Sequence, residues 1–203
     1  LKGPQGILFG KNSIAGAIAI HTADPTNTFE GYVDTYYDPE HQQEEVSGVV
    51  SGPVTENLLG RIALNYSKLD DGYFENIYTG SNVVARENKV ARSKLTWNAT
   101  ENLDIRLKYE FNQFDYSGRQ SNINHAGPGS AFASLVSKDK PASGAQPGYQ
   151  ESNDTRRHGA VLYFDYKLRD YTLTAITSYA GYNATIFSDV MYTGGRNAPI
   201  LDP

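Results

Sequence analysis

The chain has 203 residues, 18 Lys and Arg against 23 Asp and Glu, and a formal net charge of −5 with no Lys/Arg-rich run, which argues against nucleic acid as a partner. Cysteine is absent, so disulfide frameworks, Cys-ligated zinc, iron–sulfur clusters and thiol catalysis are excluded. Mean hydropathy is −0.51 and no run approaches 18 apolar residues, which excludes a transmembrane helix but not a β-barrel, whose signal is weak per segment.

The first 25 residues read as a compact glycine-rich turn structure, with Gly3, Gly6, Gly10 and Gly16 punctuating short apolar pieces before Asp24 and Pro25. Leu1 is not an initiator methionine and no export signal precedes it, so the natural N-terminus is expected upstream. From Phe29 onward seven strands are expected, at roughly 28–38, 43–54, 58–71, 88–99, 103–116, 154–168 and 171–190.

The fifth strand carries the clearest pattern. In residues 103–112, Leu103, Ile105, Leu107, Tyr109 and Phe111 alternate with Asp104, Arg106, Lys108, Glu110 and Asn112. The same period of two places Ile62, Leu64 and Tyr66 on one face, then Leu95, Trp97 and Ala99, then Ala160, Leu162, Phe164, Tyr166 and Leu168. Soluble sandwich strands run ~5–6 residues, whereas a tilted transmembrane strand needs ~9–11. These runs match the longer class. Fifteen Tyr and eight Phe suit aromatic girdles at a membrane boundary.

Connections sort by parity. Tight turns join strands two and three (T-E-N at 55–57), four and five (T-E-N at 100–102), and six and seven (Arg169-Asp170), while the others are longer, including nearly forty residues at 117–153. An up-and-down membrane sheet puts every second connection on one side, and outer-membrane barrels have short periplasmic turns and long external loops. An open edge in lipid leaves backbone groups unpaired, so such a sheet must close, and further strands are expected after Pro203.

Residues 2–20 read K-G-P-Q-G-I-L-F-G-K-N-S-I-A-G-A-I-A-I. This resembles the end of the plug domain of TonB-dependent outer-membrane receptors, R-G-P-x-G-x-L-[YF]-G-x-x-[ST]-x-G-G-x-I-N-I. Gly3, Pro4, Gly6, Leu8, Phe9, Gly10, Gly16, Ile18 and Ile20 match, while Ala15 and Ala19 depart from the usual Gly and Asn. A second, looser likeness is Y-x-x-x-x-x-G-Y-x-x-N from Tyr66 to Asn76. The resemblance implies an all-β, antiparallel transmembrane barrel of twenty-two strands whose lumen holds a plug. Residues 1–25 would then be the C-terminal end of the plug and 26–203 about the first seven strands. It further implies TonB-dependent uptake of a scarce nutrient, such as a siderophore–iron complex, across the outer membrane of a Gram-negative bacterium. Outer-membrane lipid, the TonB complex and a small nutrient ligand would be its partners, and the matched plug residues would be architectural.

Other motifs carry less. A phosphate-binding loop ending at Gly10-Lys11 needs glycine where Gln5 stands and a hydroxyl residue where Asn12 stands. His21, His41, His125 and His158 lie far apart and read as solvated or lumen-facing, so neither a metal nor another cofactor is expected. Asp70-Asp71 and Glu44-Glu45 have no accompanying nucleophile motif, so the chain does not read as an enzyme. The sequons at Asn65, Asn98, Asn153 and Asn183 are read as polar lumen chemistry. Loops on rigid scaffolds carry recognition, which makes Tyr73, Phe74, Tyr78, Arg119, His125 and Tyr149 candidate ligand contacts. Two alternatives remain at this stage: a porin or adhesin barrel without energy coupling, and a soluble carbohydrate-binding β-sandwich.

Overall fold

A computed structural model describes residues 21–72, 74–76, 82–83, 85–117, 142–143 and 152–187. The strands are β1 (Glu30–Asp38), β2 (Gln43–Thr55), β3 (Leu58–Leu69), β4 (Phe74–Asn76), β5 (Asn82–Val83), β6 (Ala85–Thr100), β7 (Leu103–Ser117), β8 (Ala142–Ser143), β9 (Ser152–Leu168) and β10 (Tyr171–Phe187). Seven of them form one antiparallel sheet in the order β1-β2-β3-β6-β7-β9-β10, so the long strands follow one another up and down as the alternation predicts. The main boundary correction is at β6, which starts three residues before the expected 88, while β10 runs to Phe187, the last described residue.

The three short strands were not expected. They form a separate sheet in the order β5-β4-β8, with β4 antiparallel to β5 and parallel to β8 through Glu75 opposite Ala142. Strands of two or three residues leave no periodicity to read; their existence depends on pairing between two loops far apart in the chain.

Hydrogen-bonded register decides which residues share a face. On one face, Leu107 stands opposite Leu95 on β6 and Leu162 on β9, and Ile105 stands opposite Trp97 and Phe164. Ile62 faces Val50, and Leu64 faces Gly48, which in turn faces Val33. The predicted apolar sets of β3, β6, β7 and β9 therefore merge into one continuous outer band, except Ala99, which falls in a register shift between Asn98 and Thr100. Beyond Tyr66 and Phe111 the outer face turns polar, with Lys68, Glu87, Asp115 and Asp154 in one row. On β7 the band covers positions 103–111, nine residues, in the range a tilted strand needs to cross hydrocarbon.

This band packs against nothing among the described residues. Leu69, at 2% exposure, is the one buried hydrophobic side chain there, whereas Val33 is 75% and Leu64 55% exposed. A water-soluble domain buries such side chains at about 25 cal/mol per Å2 and rarely leaves a large contiguous apolar face open. A sandwich would need a second layer over this face.

Tight turns set the frame. Gln42 and Arg169 take positive φ angles of 48° and 55° at the ends of the β1–β2 and β9–β10 connections. At the short-turn end, backbone bonds link neighbouring hairpins, from Asn98 N to Asn57 O and from Lys167 N to Asn102 O, each 2.9 Å. Gly52 has φ 155°, and a Cβ there would lie 2.8 Å from the Phe29 Cα, so the approach of the chain into β1 requires glycine.

Candidate functional site

The second face is polar and concave, enclosing about 940 Å3 among residues that include Arg92, Lys94, Lys108, Glu110, Arg157 and Tyr182. Period-two alternation sends these side chains opposite to the apolar band. Three cations line up across neighbouring strands: Arg61 on β3 pairs in register with Lys94 on β6, which pairs with Lys108 on β7.

Neutralisation comes from around this row. Arg61 lies 3.5 Å from Glu30, and one row along, Arg92 Nε lies 3.1 Å from Glu110. Arg106 pairs with Asp165, whose other oxygen accepts from Thr174 at 2.6 Å. The Tyr163 ring lies 5.0 Å from both the Arg106 guanidinium and the Lys108 ammonium, and Arg157 lies 5.3 Å from the Tyr182 ring.

Higher on this wall the contacts are amide chemistry. Asn65 donates to Glu45 Oε1 at 2.8 Å and to Ser47 Oγ at 2.9 Å, and Asn112 donates to Asn88 at 2.7 Å. Two strand sequons behave as expected: Asn65 points into this wall, and Asn98 lies in register with Asp104 on the same face.

The segment before β1 lies on the wall. Lys94 is 8% exposed, and its ammonium donates to the Thr22 carbonyl and, at 2.9 Å, to the Asp24 carboxylate. Thr26 is held at Ser51, which is 2% exposed: its amide donates to Ser51 Oγ at 3.0 Å and the two hydroxyls lie 2.8 Å apart. The Lys94 hydrogen bond holds the Asp24 carboxyl below its ordinary 3.8, against a smaller opposing effect of burial.

The plug-motif residues Gly3, Pro4, Gly6, Leu8, Phe9, Gly10, Gly16, Ile18 and Ile20 fall outside the described residues, as do Tyr73, Tyr78, Arg119, His125 and Tyr149. Phe74 begins β4, and through β4 and β8 the two long connections meet in one small sheet.

Two of the histidines fall within the described strands and turns, and one of them departs from the lumen-facing reading. His158 is not lumen-facing: it shares the outer row with Phe111 and Gly181, and its ring packs on Tyr179 with centroids 5.7 Å apart. The missing side chain of Gly181 makes the room, since a Cβ there would lie 2.4 Å from the imidazole. His41 Nδ1 lies 3.0 Å from an Asp38 carboxylate oxygen at the β1–β2 turn.

Sequence reasoning missed Asp24, Ser51 and Lys94 as contacts. Counting outward from the T-E-N turn at 100–102 would have put Lys94 opposite Lys108, two like charges that call for an anion.

A seven-stranded up-and-down sheet with an open apolar outer band, a charged concave inner face and connections sorted by length is a wall segment of a transmembrane β-barrel. The chain is similar in sequence to TonB-dependent receptors. It is 32% identical over 133 residues to the probable TonB-dependent siderophore receptor PirA of Acinetobacter baumannii, covering 61% of this chain and 17% of that protein. It is 35% identical over 81 residues to the pesticin receptors of Yersinia pestis and Yersinia enterocolitica, covering 40% of this chain and 12% of those proteins. The chain thus matches less than a fifth of the length of these curated relatives. No family model and no solved structure matches it.

Proposed function

We propose that the protein is a TonB-dependent importer in the outer membrane of a Gram-negative bacterium, taking up a scarce nutrient of the siderophore–iron kind. The observation that carries this reading is the two-faced sheet: its outer band is apolar surface of membrane-crossing length with nothing packed on it among the described residues, and its inner wall is polar and charged. Residues 1–25 serve as the C-terminal end of a plug, and 26–203 as about the first seven strands of a twenty-two-stranded barrel. The plug motif and the hold of the wall on residues 22–26 support that division. Energy reaches the plug through TonB, and the ligand is met first by the long connections gathered at β4 and β8. The role is transport, not catalysis.

The test is accumulation of radiolabelled iron by the source organism, supplied as ferric siderophore from its own spent medium. Deleting the encoding gene, or TonB, is expected to remove this accumulation. Equal uptake after gene deletion would count against import of iron, and loss that does not require TonB would favour a porin-type barrel.

A further inference from the structure

Residues 22–26 cross the inner wall almost at right angles to the strands. Ser51, Arg61 and Lys94 form one hydrogen-bonded row from β2 through β3 to β6, and the segment is held at both ends of it, Thr26 at Ser51 and Asp24 with Thr22 at Lys94. Two strand spacings amount to ~10 Å. Two extended residues cover ~7 Å, and the long Lys94 side chain reaches the remainder.

Both holds are unusual for a connecting segment. Loops ordinarily bond to water and fray, yet here a nearly buried ammonium takes its anion from the segment. Arg61 and Lys108 flank Lys94 in register, so lifting Asp24 away leaves three adjacent cations, of which Arg61 keeps its partner Glu30. Ser51, at 2% exposure, would likewise lose the hydroxyl that faces it.

We infer that residues 22–26 are a fixed strap, an anchor that ties the chain entering β1 to β2 and β6, so that a pull on the preceding chain ends at Thr22. The geometry assigns the load to two cross-sheet contacts before it can reach β1. Without the strap the same pull would meet Glu30 directly, and β1 is bonded to a neighbour only through β2 among the described strands. This rests on the reading of residues 1–25 as the end of a plug that must move while the barrel stays intact. The depressed ionisation of Asp24 agrees with a strap that stays closed across the neutral range.

The experiment is force spectroscopy on the full-length receptor in a lipid bilayer, pulled from its N-terminal end. The reference is the Thr26→Cys/Ser51→Cys variant, oxidised, whose side chains replace hydroxyls 2.8 Å apart and close a covalent stop at residue 26. The unmodified receptor is expected to release no more chain than this reference before the sheet resists. In Lys94→Met/Ser51→Ala, the eight residues 22–29 are freed and the released length grows by ~29 Å. An unmodified receptor that already pays out ~14 Å more than the cross-linked one overturns the strap, as does failure of the two cysteines to cross-link in a folded receptor.

A second measurement needs no paired variant. A cysteine at Thr26 should react with a water-soluble maleimide at least tenfold more slowly than one at exposed Asn27, and equal rates overturn the proposal. A receptor with no membrane-held sheet at all would defeat the barrel reading itself, a different result from a barrel that holds while the strap does not.

Discussion

Lys94 Nζ lies 2.9 Å from the Asp24 carboxylate across seventy positions of sequence, joining the chain before β1 to the middle of β6. The lysine side of this pair is buried, while the Asp24 side chain is 83% exposed. The pair therefore acts chiefly by giving a buried cation its anion, and solvent screens much of the attraction felt by the carboxylate.

Its pH dependence has a definite sign. Lys94 lowers the Asp24 pKa from 3.8 in the folded state, so the contribution is fully present above about pH 4 and fades as pH falls through the depressed value. Carbon NMR of the labelled carboxyl should show Asp24 titrating below 3.8, and Lys94→Met should return it to the ordinary value. An unchanged midpoint in that variant would show that Lys94 is not the cause.

Replacing Leu107 with arginine should block assembly. Leu107 sits mid-band, opposite Leu95 and Leu162, and arginine on a lipid face at mid-depth costs ~2–4 kcal/mol. The neighbouring Lys108→Gln lies on the inner wall and should assemble normally. Heat-modifiable electrophoretic mobility of the full-length receptor in outer-membrane fractions separates the two, and normal assembly of the Leu107 variant would reverse the face assignment.

Gly52→Ala should destabilise the sheet at the entry to β1. The added Cβ meets backbone, the Phe29 Cα at 2.8 Å, at a φ of 155° that side chains rarely adopt. A cost of ~1–3 kcal/mol is expected for such a site. Gly181→Ala meets the His158 ring first, a side chain that can turn aside, and should cost less. Comparison of denaturant midpoints for the two variants in detergent tests the order.

On the proposed function, exchanging residues 118–150 for a short Gly/Ser linker should abolish retention of ferric siderophore while leaving the barrel folded. That exchange also removes β8 and with it the pairing to β4 at Glu75. Undiminished retention would take recognition away from this connection.

The local chemistry of the chain determined the repeating unit. Alternation in β3, β6, β7 and β9 sorted side chains to two faces because successive Cβ atoms of a strand point opposite ways, and T-E-N and Arg169-Asp170 announced the hairpins that join them. These are properties of neighbours in sequence, and they survived with boundary shifts of a few residues. The plug-like motif at 2–20 likewise belongs to the sequence alone.

Tertiary structure decided whatever depends on register across long connections. The row Ser51–Arg61–Lys94 exists only because β3 and β6 pair across the connection at 70–84, whose length leaves the pairing offset open. Thr22 and Asp24 then find Lys94 from outside any strand, where no periodicity operates. His158 takes the outer face by the same alternation as Ala160 and Leu162, but the room for its ring comes from Gly181 on another strand. A period of two says that a residue faces one side or the other; which partner stands there, and whether a lysine on that side must find an anion, is set by the offsets between strands.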